Sequence, residues 1–315
     1  MSKITLAAIA FLILLRLPAP AFAQGIDLSG DWAPVREEDN TGNTEIGDWV
    51  GIPMSDAARA RAAAWAASIQ TLPEWQCRPH GSAYISRGPS QLRIAKVVDP
   101  SSRLVTAWNM EWLRSVVRPV YMDGRAHPSA NAPHTWAGFS TGEWVGDTLK
   151  ITVTHLKEEY LKRNGVFHSD QLTLVQHLIR RGNYLTWITI AYDPVYLTEP
   201  LIRSTEYQAA PFQNLPPYPC TTVEEVDRPK GIIPHNLPGT NPWVTDYAAR
   251  YKIPFDVVIS GAASMYPEIR AKIAAGTPPP KPTINSVPPQ VLTSPGAPAQ
   301  TPQTPASVPA ARSRQ

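Results

Sequence analysis

The sequence predicts a mainly β domain: an antiparallel meander that closes as a barrel or packs as a sandwich, with short helices at both ends. Three observations predict it. Between residues 118 and 193, apolar and polar residues alternate in run after run, the period of a strand with one buried face. The runs are separated by Asp123-Gly124, Gly146-Asp147 and Arg181-Gly182-Asn183, which suit hairpin turns. On either side the alternation gives way to Ala-rich and Pro-rich stretches that read as helix and loop.

Taken in order, residues 1–23 read as a signal peptide. Lys3 supplies a positive start, an apolar run of about 12 residues follows, and Ala21-Phe22-Ala23 is a small-x-small cleavage site. The run is too short to span a bilayer, which takes about 20 residues. The expectation is an exported chain, periplasmic or secreted. Gly30-x-Trp32 opens the first strand and favours a lipocalin-like closure of the barrel. Ser55 caps a helix expected to reach residue 69, with Asp56 favoured by the helix dipole. Residues 75–89 read as loop. Strands follow at 91–98 and 103–108 about the turn Asp99-Pro100-Ser101-Ser102, and at 115–122.

The next strands are 142–145 and 148–155, a hairpin about Gly146-Asp147. In the second arm Leu149, Ile151 and Val153 face one way, and Lys150, Thr152 and Thr154 the other. Leu172, Leu174 and Leu178 repeat the pattern. Residues 184–192 are apolar on both faces, which places that strand centrally, and Asp193-Pro194 stops it. The β-rich domain therefore spans residues 24–210. Residues 211–275 form a Pro-rich loop and short helices at 245–251, 256–259 and 267–275, the last with Pro267 in its first turn and Gly276 after its end. Residues 276–315 hold many prolines and no acidic residue; they read as a disordered tail, a possible spacer toward a cell-envelope partner.

Charge narrows the partners. The whole chain has 29 basic and 26 acidic residues. Without Lys3, Arg16, Lys281, Arg312 and Arg314 of the two ends the folded part is close to neutral. It has no basic stripe interleaved with aromatics, so a nucleic-acid partner is not expected. The two cysteines, Cys77 and Cys220, form an even pair, and in an oxidising compartment that predicts a disulfide.

Candidate chemistry lies in the central segment, which holds five of the seven histidines. Asp123, Asp147 and Asp193 could each act as a general base, but each also sits in a turn dipeptide that explains it. The spacing of His127, His134, His155, His168 and His177 matches no zinc signature, so no metal ligands are assigned. His168, in the polar connection Phe167-His168-Ser169-Asp170, is the best single catalytic candidate, with Asp147 or Asp123 as partner. His177 lies opposite the leucine row and would face the lumen if the lumen is on that side. Arg118 and Arg125 flank Asp123-Gly124 and could clamp a carboxylate or phosphate. Ser140 matches Gly-x-Ser-x-Gly by letters but precedes a hairpin, not the strand-to-helix turn that activates a nucleophile. Ten tryptophans suit a ligand-stacking surface, with Trp136 and Trp144 beside Gly-rich turns.

The runs Met122-Asp-Gly-Arg125-x-His127-Pro128, Gly138-x-Ser140-x-Gly142-x-Trp144-x-Gly146-Asp147-Thr148-Leu149, His168-Ser169 and Asp193-Pro194 resemble a widespread group of exported bacterial proteins of uncharacterised function. That group carries DGRxHP and GxSxGxWEGDTLVV motifs. This chain departs from it at Val145, where the group has Glu, and at Gln176-His177-Leu178, where it has ERF. The resemblance implies export and a β-rich fold, and brings no reaction with it.

Three readings follow. The first is a protein that binds a small apolar or aromatic ligand through Trp136, Trp144, His177 and Arg125. The second is a hydrolase or lyase using His168 with Asp147 or Asp123. The third is a structural envelope module. No cofactor is identified.

Overall fold

A computed structural model describes residues 26–35, 45–114 and 116–275. The expected signal peptide and Pro-rich tail lie outside the described residues. The barrel strands are β1 (Gly30–Pro34), β2 (Leu92–Val98), β3 (Val105–Trp112), β4 (Arg118–Tyr121), β5 (Phe139–Val145), β6 (Thr148–Thr154), β9 (Thr173–Arg181), β10 (Tyr184–Tyr192) and β11 (Leu201–Ala209). They close in the order β1-β11-β10-β9-β6-β5-β4-β3-β2, so the barrel form of the expected fold is the one adopted. β7 (Glu159–Lys162) and β8 (Val166–His168) pair as a separate hairpin.

Every barrel pairing is antiparallel except β4 with β5, which run parallel through Val120 with Ser140 and Tyr121 with Thr141. A parallel pair obliges the chain to travel back along the barrel before it re-enters the sheet. Residues 122–138 make that return. His127 pins them, its two ring nitrogens bonded to the Thr154 and Thr141 hydroxyls at 2.7 and 2.8 Å.

The registers sort the connections to two ends. A hairpin end collects the 99–104 turn, Asp123, Gly146-Asp147 and Gly182. The opposite, helical end collects α1 (Asp56–Ala63), α2 (Pro73–Gln76), α3 (Ser82–Ile85), the turn after β3, the β7–β8 hairpin and the stretch from Asp193 to β11.

One row of each strand turns inward. On β9 it is Leu174, Gln176 and Leu178; on β10 it is Leu185, Trp187, Thr189 and Ala191. His177 therefore sits on the outer row, paired with Lys150 and Ile188, and not toward the lumen. Trp32 plugs the hairpin end, its indole N–H donating to the Leu28 carbonyl at 3.2 Å and the Arg180 guanidinium lying 5.2 Å from its ring.

Ser55 caps α1 through Ala58 N–H, as expected, but α1 stops at Ala63 rather than residue 69. The chain turns there to bury Trp65 against Trp75, Tyr160 and Phe167. Side-chain amides of Asn241 and Asn236 take the Ala63 and Trp65 carbonyls that a longer helix would have used. Near the C-terminal side, α4 (Asp246–Tyr251), α5 (Phe255–Val258) and α6 (Pro267–Ala275) follow the Pro-rich loop. Ser264 ties them to the 45–54 segment by accepting from Gly51 N–H at 2.8 Å. The expected disulfide is present: Cys77 and Cys220 are joined across 143 residues.

Candidate functional site

A cleft of about 330 Å³ opens at the helical end. It is assembled from pieces remote in sequence. α2 and the residues after it contribute Trp75, Gln76, Arg78 and His80. The turn after β3 contributes Arg114, β7 contributes Glu159 and Tyr160, the β7–β8 turn contributes Arg163, and the Pro-rich loop contributes Tyr218 and Glu225.

The arginines are held in place by neutral partners. Arg114 has φ +60°, a left-handed backbone that costs a non-glycine residue about 1 kcal/mol. Its carbonyl accepts from His80 N–H at 2.7 Å, and its guanidinium donates to the carbonyls of Gln76 and Arg78. The strain is thus maintained by contacts that aim the side chain at the cleft. The Arg78 guanidinium carbon lies over Trp75, 3.5 Å from the ring centroid, and 4.8 Å from that of Trp136. Arg163 donates to the side-chain carbonyl of Gln70. None of the three makes a salt bridge among the described residues.

The one carboxyl set among them is Glu159, only 1 % exposed. Its Oε2 accepts from Gly81 N–H at 2.6 Å, and its Oε1 has no partner. Burial raises its pKa, while the Gly81 hydrogen bond and then the three arginines lower it. Burial wins, pushing it up to about 8, so at neutral pH the group is mostly the uncharged acid. His80 is pushed down to about 3, first by burial and then by Arg114 and Arg163, and stays neutral. Burial likewise keeps Tyr160 a phenol. Besides Glu159 Oε1, two more buried atoms here lack a partner, Arg78 Nε and His80 Nδ1. With Glu225 exposed at the rim, the site carries a net positive charge and unfilled hydrogen-bonding capacity.

A second cleft of about 330 Å³ adjoins the first, sharing Arg114 and Tyr218. Trp112, Val117, Leu215, Pro216 and Pro217 give it an apolar wall.

The residues singled out by sequence are dispersed. Trp136 reaches the cleft's edge, beside Arg78 and with Lys157 Nζ 5.1 Å from its ring. Trp144 packs against the core at the hairpin end of β5. Arg125 is at that end too, bonded to Asp123 at 2.8 Å and stacked on Tyr121. This ion pair lowers the Asp123 pKa to about 2. Asp147 is exposed in its hairpin turn, and His177 stands on the outer wall. His168 is at the helical end, a barrel's length from Asp147 and Asp123, so the three are not brought together. It is also 1 % exposed, where an accessible imidazole was expected. Its Nδ1 bonds the Ser169 carbonyl, and Asp193 takes the Ser169 N–H and hydroxyl together with the N–H groups of Val195 and Tyr196. That constellation clasps two loops.

Sequence reading missed Arg78, His80, Arg114, Glu159, Tyr160 and Arg163. A signal existed for the first two: they follow Cys77 within three residues, and its bridge carries them to a distant loop. Among the described residues, no three His, Cys, Asp or Glu side chains gather as a metal-ligand set, and no helix is long and apolar enough to cross a membrane. Comparison with family models, curated proteins and solved structures finds no match to this chain.

Proposed function

We propose that this is an exported binding protein whose helical-end cleft takes a small molecule with an anionic group on an apolar or aromatic body. The observation that carries the reading is the convergence of Arg78, Arg114 and Arg163 on one cleft with no salt-bridge partner among the described residues. Guanidinium groups held by neutral partners keep their charge available for a carboxylate or phosphate. The aromatic floor of Trp75 and Tyr160 and the adjoining apolar wall suit the rest of the ligand, and the volume is in the range of small-ligand sites. The signal sequence, the disulfide and the resemblance to exported bacterial proteins support export.

The test is a titration of tryptophan fluorescence with aromatic carboxylates and phosphate monoesters against their uncharged esters or alcohols. The charged members should bind and the uncharged ones should not. Arg163→Gln should weaken binding by about 10- to 100-fold, the value of one charge-assisted hydrogen bond. Equal affinity for charged and uncharged members would refute the anionic part of the reading.

A further inference from the structure

The barrel interior contains a charge that the cleft does not use. Arg118, wholly enclosed, projects from β4 into the lumen. Its Nη1 donates to the Gln176 side-chain carbonyl at 2.9 Å, and its Nη2 meets the Met110 sulfur. The rings of Trp112 and Trp187 lie 5.7 and 5.5 Å from the guanidinium carbon. No salt bridge involves Arg118 among the described residues. The described buried acids, Glu159 and Asp193, are bonded elsewhere, to Gly81 and to Ser169, and neither makes a salt bridge with Arg118.

The polar atoms left over on this stretch of wall share one character. Arg118 Nε, Trp108 Nε1, Trp187 Nε1 and Ser140 Oγ are buried and without partners. The first three can only donate a hydrogen bond, and the fourth can donate one. Their strands adjoin: Val120, next on Arg118's row, faces both Trp108 and Ser140 across the ladders, and Gln176 and Trp187 close from β9 and β10. A buried cation with further donors on neighbouring strands, and no salt-bridge partner among the described residues, has the chemistry that an anion would complete. Burial lowers the pKa of Arg118 only to about 9, so the guanidinium is charged at neutral pH.

We propose that the barrel lumen encloses one small monovalent anion of halide size, held by Arg118 with Ser140 and the indoles of Trp108 and Trp187. One positive charge calls for one negative charge, since an unpaired ion in a low-dielectric interior costs several kcal/mol. The side chains are at most 3 % exposed, so an occupant among them is enclosed. This site is separate from the cleft and does not depend on the function proposed for it.

Bromide tests the proposal. Crystals grown in sodium bromide should show one anomalous peak inside the barrel, within hydrogen-bond distance of the Arg118 guanidinium. A peak on Arg78, Arg114 or Arg163 is a different site, so location separates the two. In solution, chloride or bromide at ten times its dissociation constant should raise Tm by about 3–5 °C over gluconate at equal ionic strength. Gln176→Glu places a carboxylate on Arg118 and should abolish both the internal peak and its share of the Tm rise, while leaving the cleft unchanged. If that variant does not fold, the wild-type map still decides. No internal bromide, or a water on these donors in bromide-grown crystals, overturns the proposal.

Discussion

At the residue scale, Glu159 and His80 make stability respond to pH in opposite senses. The unfolded Glu159 ionises near its ordinary value while the folded one holds its proton to about 8. The native state therefore binds the extra proton between these values, and stability present below about pH 4.5 is lost as pH rises to about 8. His80 is the reverse: its contribution is complete above about pH 6.5 and is lost as pH falls toward about 3. Glu159→Gln should flatten the fall between pH 6.5 and 8, where a single group supplies at most about 1.4 kcal/mol per pH unit; urea melts across that window measure it. Gly81 is the second test. A Cβ there would stand 2.0 Å from Glu159 Oε2 and 2.9 Å from the Trp136 carbonyl. Gly81→Ala should push the acid out of place and weaken the proposed anionic-ligand binding about tenfold in a fluorescence titration, the value of one hydrogen bond, with the barrel's circular dichroism unchanged. None of this was legible in the sequence. Glu159 lies in an ordinary-looking run, and its neutrality comes from burial among residues that only the fold assembles.

At the scale of elements, the strands were far easier to read than the site. β10 occupies the residues expected of it, because apolarity on both faces is a local signature of a central strand. β11 is hard to read although Leu201, Thr205 and Tyr207 share its inward row, since Ile202 puts a large apolar residue on the outer row and Arg203 a charge on the inner one. The β7–β8 hairpin was missed because its arms are too short for a period to show. β1 is short as well, yet it closes the barrel by pairing both β2 and β11, and Trp32 anchors it. Trp32→Ala should cost about 3–5 kcal/mol in chemical denaturation, because it empties the plug and releases Arg180 from its ring.

At the scale of the molecule, the barrel and the cleft are stabilised by different means. The barrel rests on its packed interior. One wall of the cleft, residues 211–232, has no strand or helix of its own and is held by Cys77–Cys220, the paired bonds between Gln76 and Val223, and Arg228 on Thr71. Reduction should therefore lower stability by about 2–5 kcal/mol and abolish most of the proposed ligand binding while leaving the β-sheet circular dichroism in place. Cysteine parity made the bridge legible, but the three arginines it helps to gather come from loops that share no local pattern. The closure of the barrel also dictates an order of events during synthesis. β1 leaves the ribosome first, and its partner β11 ends at Ala209, opposite Trp32. At 5–20 residues per second the first strand waits roughly 10–35 s for the last. Throughout that interval the sheet has open edges, so newly made chains are vulnerable to aggregation and to proteases until the final strand arrives.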